Sequence, residues 1–439
     1  NYSRSRKPGR KIMSVLNENT IIGASGAGTG DYEIEQSLRF NDDDGSYLSR
    51  TPSSAGNRKT WTYSGWIKRG DINASAGGIN HMLLDTVSGD GIAIRAGSNA
   101  AKMEIAYGGG TAEAVTNQLF RDFSAWYHII VSVDSTQSTN TNRIKIYVNG
   151  EQVTSFASLS YPSQNADGHI NNTVSHQIGK QVNLTRYFDG YMAEVNFIDG
   201  QALTPDSFGE TGDYGEWKPI AYAGTYGTNG FYLKFENASS LGNDSAGSNN
   251  WTPSNLAATD QMLDSPTNNF AVWNPLRPNA AMTYANGNTQ ARSSGGSGRS
   301  GYSNVGMASG KWYMEIIGVV NNVALSDTTG SPYFQYKGTG SYNNNGSTTT
   351  GKATYGATDI IGISYNADTN AIEFYKNNVS QGSATFSAAS GVDVVIQFSG
   401  TYNVVETATV NFGADSSFAG TKTPQGNQDS NDIGDFYYA

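Results

Sequence analysis

The sequence predicts an all-β protein in which two antiparallel, jelly-roll-like β-sandwich domains stand in tandem behind an extended N-terminal arm. Three observations carry that expectation. The 439 residues suffice for two domains of ordinary size, each burying its own core. Only 15% of residues are charged, while 52 glycines and many Ser, Thr and Asn separate short apolar runs, the composition of strands joined by turns. Apolar and polar residues alternate with period two in one run after another, and no stretch of comparable length keeps a helical period.

Residues 1–35 read as an arm with little to bury by itself, ordering against a partner. Its basic residues Arg4, Arg6, Lys7, Arg10 and Lys11 are accompanied by no acid in the first twelve positions. Met13 resembles a natural start, so those residues are either an upstream extension or a docking arm that meets an acidic surface of another protein. Residues 36–236 form the first sandwich. Trp61-Thr-Tyr-Ser-Gly-Trp-Ile-Lys68 alternates as a half-buried strand should. Ala125-Trp-Tyr-His-Ile-Ile-Val-Ser-Val133 follows, then Arg143-Ile-Lys-Ile-Tyr-Val148 running into Asn149-Gly150, a pair that accepts the positive φ angles of a tight hairpin. Phe188–Phe197 and Gly230–Glu236 complete the set. Residues 237–280, rich in Asn, Asp, Ser and Pro, read as an irregular connector pinned by Trp251, Phe270 and Trp273. Strand patterning resumes over 281–439, clearest at Lys311–Ile317, Asp359–Tyr365, Ala371–Lys376 and Thr409–Phe412. The intervening 321–356 stretch, dominated by Gly, Ser, Thr, Asn and Tyr, reads as a loop at one edge.

The first module resembles the laminin-G-like form of the concanavalin A-like lectin fold. The resemblance rests on the order and spacing of Trp61–Lys68, Trp126–Val133, Ile144–Gly150 and Phe188–Val195 followed by Ala202-Leu-Thr204. The second resembles a SPRY domain through Gly310-Lys-Trp-Tyr-Met-Glu315, Asp359–Ile363, the hairpin Ile372–Asn378 and Val410-Asn-Phe-Gly413. It departs from that family at Asn378, where Gly is usual; Asn also tolerates a left-handed conformation, so the turn is kept. The tandem is similar to virion-associated proteins of aquatic tailed bacteriophages, which implies a fibre, appendage or decoration subunit on the virion surface, assembled in the host cytoplasm. Such relatives continue beyond a segment like Asp435–Ala439, so the natural chain is expected to extend further.

The chemistry is mostly one of exclusion, and no enzyme is expected. Lectin-like sandwiches also host glycan hydrolases, which need two carboxylates about 5–5.5 Å apart for retention. The nearest string, Glu194-Val-Asn-Phe-Ile-Asp199, has Asn196 where the central acid would stand, so no catalytic residue is assigned. The histidines His81, His128, His169 and His176 show no metal-ligand spacing. The absence of cysteine excludes disulfides, thiolate metal sites and a cysteine nucleophile. A net charge of −10, with the basic cluster confined to the arm, gives the folded domains no general attraction for nucleic acid. No apolar run approaches the roughly 20 residues that cross a bilayer, so membrane insertion is not expected.

Two candidate sites remain. Laminin-G-like modules often carry one calcium at a loop rim, which nominates Asp85 and Asp90 as weak calcium candidates; Asp in turns also serves local hydrogen bonds. Tyrosines in loop-like sequence, Tyr107, Tyr187, Tyr333, Tyr336 and Tyr342, are candidates for binding a glycan or a partner protein, since flat aromatic faces stack on sugar rings and anchor interfaces. The expected function is attachment to a host-surface glycan or protein by a homo-oligomer fixed to other virion proteins through its arm. The alternatives are a purely structural subunit and a polysaccharide depolymerase.

Overall fold

The computed structural model describes residues 32–70, 81–95, 101–277, 282–293, 300–319, 321–328, 330–386, 393–400, 405–430 and 432–438. The basic cluster Arg4, Arg6, Lys7, Arg10 and Lys11 lies outside them. The chain is all-β, without an α-helix among the described residues, and divides into two compact units at Arg292 and Ser293.

The first unit contains β1 (Ser37–Phe40), β2 (Tyr47–Arg50), β3 (Thr60–Arg69), β4 (His81–Thr86), β5 (Gly91–Ile94), β6 (Lys102–Tyr107), β7 (Ala112–Leu119), β8 (Tyr127–Asp134) and β9 (Ile144–Val148). It continues with β10 (Glu151–Gln152), β11 (Phe156–Ser160), β12 (His176–Ile178), β13 (Gly190–Asp199), β14 (Gly209–Thr211), β15 (Trp217–Pro219), β16 (Phe231–Leu233), β17 (Thr252–Ser254) and β18 (Gln261–Met262). One sheet has the order β10-β9-β8-β3-β13-β1-β18, with β16 also against β13. The other has the order β11-β7-β6-β5-β4-β12-β2-β17. Alternation explains the layering: Trp61, Tyr63 and Ile67 of β3 and Ile129, Val131 and Val133 of β8 meet Ile92, Ile94, Met103 and Ile105 of the opposite sheet in one core. The β9–β10 hairpin turns as its sequence requires, with Asn149 at φ 48° and Gly150 at φ 83°. Within 237–277, β17 and β18 extend the edges of the two sheets, and Trp251 enters the core.

Beyond these lie β19 (Met282–Ala285) and β20 (Gln290–Ser293). The second unit is built from β21 (Ser300–Tyr302), β22 (Lys311–Ile317), β23 (Asn322–Asp327), β24 (Tyr333–Lys337), β25 (Ser341–Asn344), β26 (Ser347–Thr350), β27 (Ile361–Asn366), β28 (Ala371–Lys376), β29 (Val379–Thr385), β30 (Val394–Ser399), β31 (Thr407–Asn411), β32 (Asn427–Gln428) and β33 (Asp435–Phe436). The order β31-β22-β27-β28-β29 makes one layer and β21-β30-β23-β24-β25-β26 the other. Phe374 of β28 joins them, its ring 5.5 Å from Tyr336, 5.5 Å from Tyr342 and 6.1 Å from Phe334. The β28–β29 turn carries Asn377 and Asn378, both at positive φ, so asparagine does supply the left-handed turn. The reading of 321–356 as a loop is corrected: four strands, β23 to β26, run through it. Val323, Leu325, Phe334, Tyr336 and Tyr342 are buried there, and pairing satisfies a backbone that the polar composition suggested was solvated.

Candidate functional site

The outer face of one sheet of the first sandwich is covered by aromatic packing, and the other sheet exposes side chains on β6, β7 and β11. Outside the sheet containing β3 and β13, Trp66, Trp126, Tyr191 and Ala193 pack with Ile34 and Met262. Ile130, Tyr147 and Ile198 pack with Phe208 and, at its margin, Tyr222 and Tyr226. His128 lies between two indoles, 4.6 Å from Trp66 and 6.1 Å from Trp217. Trp217 Nε1 donates to its Nδ1 at 2.9 Å, which places the ring proton on Nε2, 2.8 Å from Ser64 Oγ. Burial pushes this imidazole down to about 3, so it is a neutral packing residue at physiological pH. Lys68 donates to Asp264 at 2.7 Å, and both side chains are 1% exposed.

Glu194 belongs to this covered face. It occupies a bulge in β13, where the register with β3 shifts between Ala193 and Asn196, and its φ is 51°. Tyr232 and Tyr32 donate to its carboxylate at 2.5 and 3.0 Å. Burial pushes the carboxyl up to about 7, against the pull of these hydroxyls. The carboxylate singled out from the sequence is therefore enclosed by tyrosines.

The opposite sheet presents its outer face differently. Side chains that alternate with the core residues of β5, β6 and β7 point outward, and three of them form a charged triad. Arg95, just after β5, donates from Nε to Glu104 at 2.9 Å and from Nη1 to Glu113 at 3.2 Å. Burial raises the Glu104 pKa, Arg95 opposes the rise and Glu113 adds to it. Ser158 of β11 donates to Glu113 Oε2 at 3.4 Å, and Ser160 Oγ accepts from the Glu113 backbone at 3.0 Å. The register partners of the two glutamates, Ala93, Ala106 and Val115, are short, and Ala93 and Val115 are buried beside them. Fixed, half-exposed donors and acceptors on a β surface can meet the hydroxyls of a polyhydroxylated ligand in defined directions.

The tyrosines expected in loops divide. Tyr107, Tyr336 and Tyr342 are core residues, which corrects their assignment to a binding surface. Each has a carbonyl for its hydroxyl: Arg58 and Ala166 for Tyr107, Ala353 for Tyr336, Gly382 for Tyr342. Tyr187 and Tyr333 remain half-exposed. Lys180 lies over the rings of Tyr47 and Tyr187, at 4.5 and 5.5 Å. The Asp85 and Asp90 carboxylates are buried and engaged by N–H donors. Val182 N meets Asp85 at 2.7 Å, and burial pushes that carboxyl up to about 7. Asp90 accepts from the backbone of Gly109 and His169 at 2.6 and 2.5 Å, and His169 Nδ1 lies 3.1 Å away. Both aspartates thus hold loops together and face no open rim. Among the described residues, no group of three or more His, Cys, Asp or Glu is arranged to hold a metal.

The triad itself was not identified from the sequence. The signal was present in Lys102-Met-Glu-Ile-Ala-Tyr107 and Ala112-Glu-Ala114, whose alternation sends Glu104 and Glu113 to one face.

Residues 42–207 match the family model of the concanavalin A-like lectin/glucanases superfamily, and residues 299–415 match that of the SPRY domain. No curated protein matches the chain. Among solved structures, a candidate carbohydrate-binding protein from Bacteroides ovatus is 16% identical, with a TM-score of 0.36 over 51% of this chain and 58% of that one. The SPRY domain of human HERC1 is 17% identical, with a TM-score of 0.27 over 31% of this chain and 96% of that one. Stonustoxin is 13% identical, with a TM-score of 0.27 over 32% of this chain, which spans only 27% of the toxin.

Proposed function

We propose, from a chain that carries a concanavalin A-like domain followed by a SPRY domain, that it is a non-enzymatic attachment protein. It binds host-surface glycan through the outer face of its second sheet and belongs to the surface of a bacteriophage virion. The observation that carries the binding reading is the Arg95–Glu104–Glu113 triad, whose paired charged groups are partly exposed on the outer face of that sheet. The virion setting draws on the resemblance of the tandem to phage appendage proteins.

The same geometry disfavours a depolymerase. Retaining hydrolysis requires an acid and a nucleophile about 5–5.5 Å apart on either side of the scissile bond, whereas Glu104 and Glu113 are both engaged by the one guanidinium of Arg95. A purely structural subunit is the second reading, favoured by the edge strand β26, Ser-Thr-Thr-Thr, which is exposed along its length and carries no charge.

Arg95→Ala removes the cation that orders both carboxylates. Hydrogen bonds to charged groups are worth about 1.5–3 kcal/mol, so affinity for the bound glycan is expected to fall roughly 10- to 100-fold. Glycan-array binding followed by titration measures this. Wild-type protein that binds no host-envelope glycan defeats the reading.

In this proposal the arm docks the protein to an acidic surface of another virion component through Arg4, Arg6, Lys7, Arg10 and Lys11, and the subunits form a homo-oligomer. Deleting residues 1–30 is expected to leave both units folded and to abolish incorporation into particles, read by immunoblot of purified virions. Undiminished incorporation would show that the arm does not dock the protein.

A further inference from the structure

Glu315 of β22 is fully buried and carries an unusual set of donors. Its Oε2 accepts from the Tyr437 amide and its Oε1 from the Tyr438 amide, both at 2.8 Å. The Tyr313 hydroxyl reaches Oε1 at 3.1 Å, and Asn411 Nδ2 reaches Oε2 at 3.4 Å. A single carboxylate thus holds two successive amides of the segment Asp435–Tyr438. Asp435 N donates to Gly413 O and Asp435 O accepts from Asn411 Nδ2, both at 2.8 Å, while Phe436 pairs with Asn427 and Tyr437 O accepts from Asn427 Nδ2 at 2.7 Å.

Side chains add a pattern to these sequence-independent contacts. The Asp435 carboxylate accepts from Ser416 Oγ at 2.5 Å. Phe436 is buried, edge-on to Tyr313 at 5.2 Å. Tyr437 and Tyr438 pack on Ile317, Ile360 and Phe418. Main-chain hydrogen bonds combined with pockets for particular side chains are how folded domains read an extended peptide. The segment is reached through Thr423-Pro-Gln-Gly426, which is exposed throughout.

We propose that the cleft formed by Tyr313, Glu315, Asn411, Ser416 and Phe418 is a peptide-binding site for an acidic-aromatic strand. Its occupant in cis is Asp435–Tyr438, and its occupant in trans is the same segment of a second copy, so that copies link by exchanging this segment. Exchange of an identical element costs little, because every contact of the closed form is remade in the linked one. The exposed 423–426 stretch provides the hinge.

The test uses the full chain and a fluorescein-labelled peptide of residues 431–438. Phe436→Ala weakens the hold on the chain's own Asp435–Tyr438 segment and opens the cleft. This variant is expected to bind the peptide at least roughly tenfold more tightly than wild type, in which the tethered segment competes at high effective concentration. Adding Glu315→Gln to Phe436→Ala should abolish binding while the thermal melt stays cooperative. Sedimentation of wild type should show a concentration-dependent dimer that excess peptide disperses. A folded Phe436→Ala variant that binds no peptide overturns the proposal. So does a Phe436→Ala variant that fails to fold, since the segment would then be an integral part of the module, and so does a chain that stays monomeric at every concentration.

Discussion

Replacing Lys68 by methionine is expected to destabilise the first unit by about 3–5 kcal/mol, the range found when one partner of a buried ion pair is removed. Lys68 Nζ donates to Asp264 Oδ2, to Asn269 Oδ1 and to the Phe270 carbonyl, at 2.7, 2.7 and 2.9 Å. Without it, Asp264 keeps Trp126 Nε1 at 3.1 Å and the Phe270 amide at 3.4 Å. Burial already raises the Asp264 pKa, with Lys68 opposing the rise, and the substitution lets it climb further. A carboxyl raised above its unfolded value stabilises the fold at low pH and loses that contribution as pH rises through the folded pKa. The deficit of Lys68→Met should therefore be larger at pH 8 than at pH 5. Adding Asp264→Leu should restore most of the loss, because the uncompensated charge goes with it. Tryptophan fluorescence is a suitable probe, since every tryptophan except Trp312 lies in this unit. A variant within about 1 kcal/mol of wild type at pH 8 would show that the pair does not hold the 260–273 segment in place.

The second large effect is expected from Gly318→Ala, in the other unit. Gly318 follows β22 with φ at 91°, and its amide donates to Ala357 O at 3.1 Å. A Cβ there would overlap the carbonyl oxygen of Thr407, a backbone atom held in place by the strand that pairs with β22. Both the positive φ and the overlap act against any side chain, so the backbone must shift and the β22–β31 ladder must loosen. A loss of about 3–5 kcal/mol places the substitution in the tail of point-mutant effects. Hydrogen exchange of the β22 and β31 amides is the direct measurement. Unchanged protection would mean that the strand end accommodates the methyl group.

How much of this was legible in the sequence depended on whether a feature is local. The Asn149-Gly150 hairpin and the Asn377-Asn378 turn depend on neighbouring residues, and the structure has them where the sequence put them, whereas β3, expected half-buried, is buried on both faces because other segments pack on its outer side. The strands between 322 and 350 were missed because their apolar residues are few and spaced among Ser, Thr and Asn. Such residues suit exposed turns and paired strands alike, and the pairing partner decides. Tyr107, Tyr336 and Tyr342 were misread for a related reason: a tyrosine can be buried when a carbonyl waits for its hydroxyl, and those carbonyls come from distant segments. The triad needed the register of two strand pairs, including a shift between Lys102 and Glu104, before its members could be brought together.

The covering of one sheet by Trp66, Trp126, Tyr191 and the segments packed on them fixes where this scaffold can be diversified. Codons at 95, 104, 106, 113 and 158 can be randomised as a combinatorial surface for new ligands, because their side chains are partly or fully exposed. Positions along β13 offer no such freedom, and a library built there would be spent on chains that never fold.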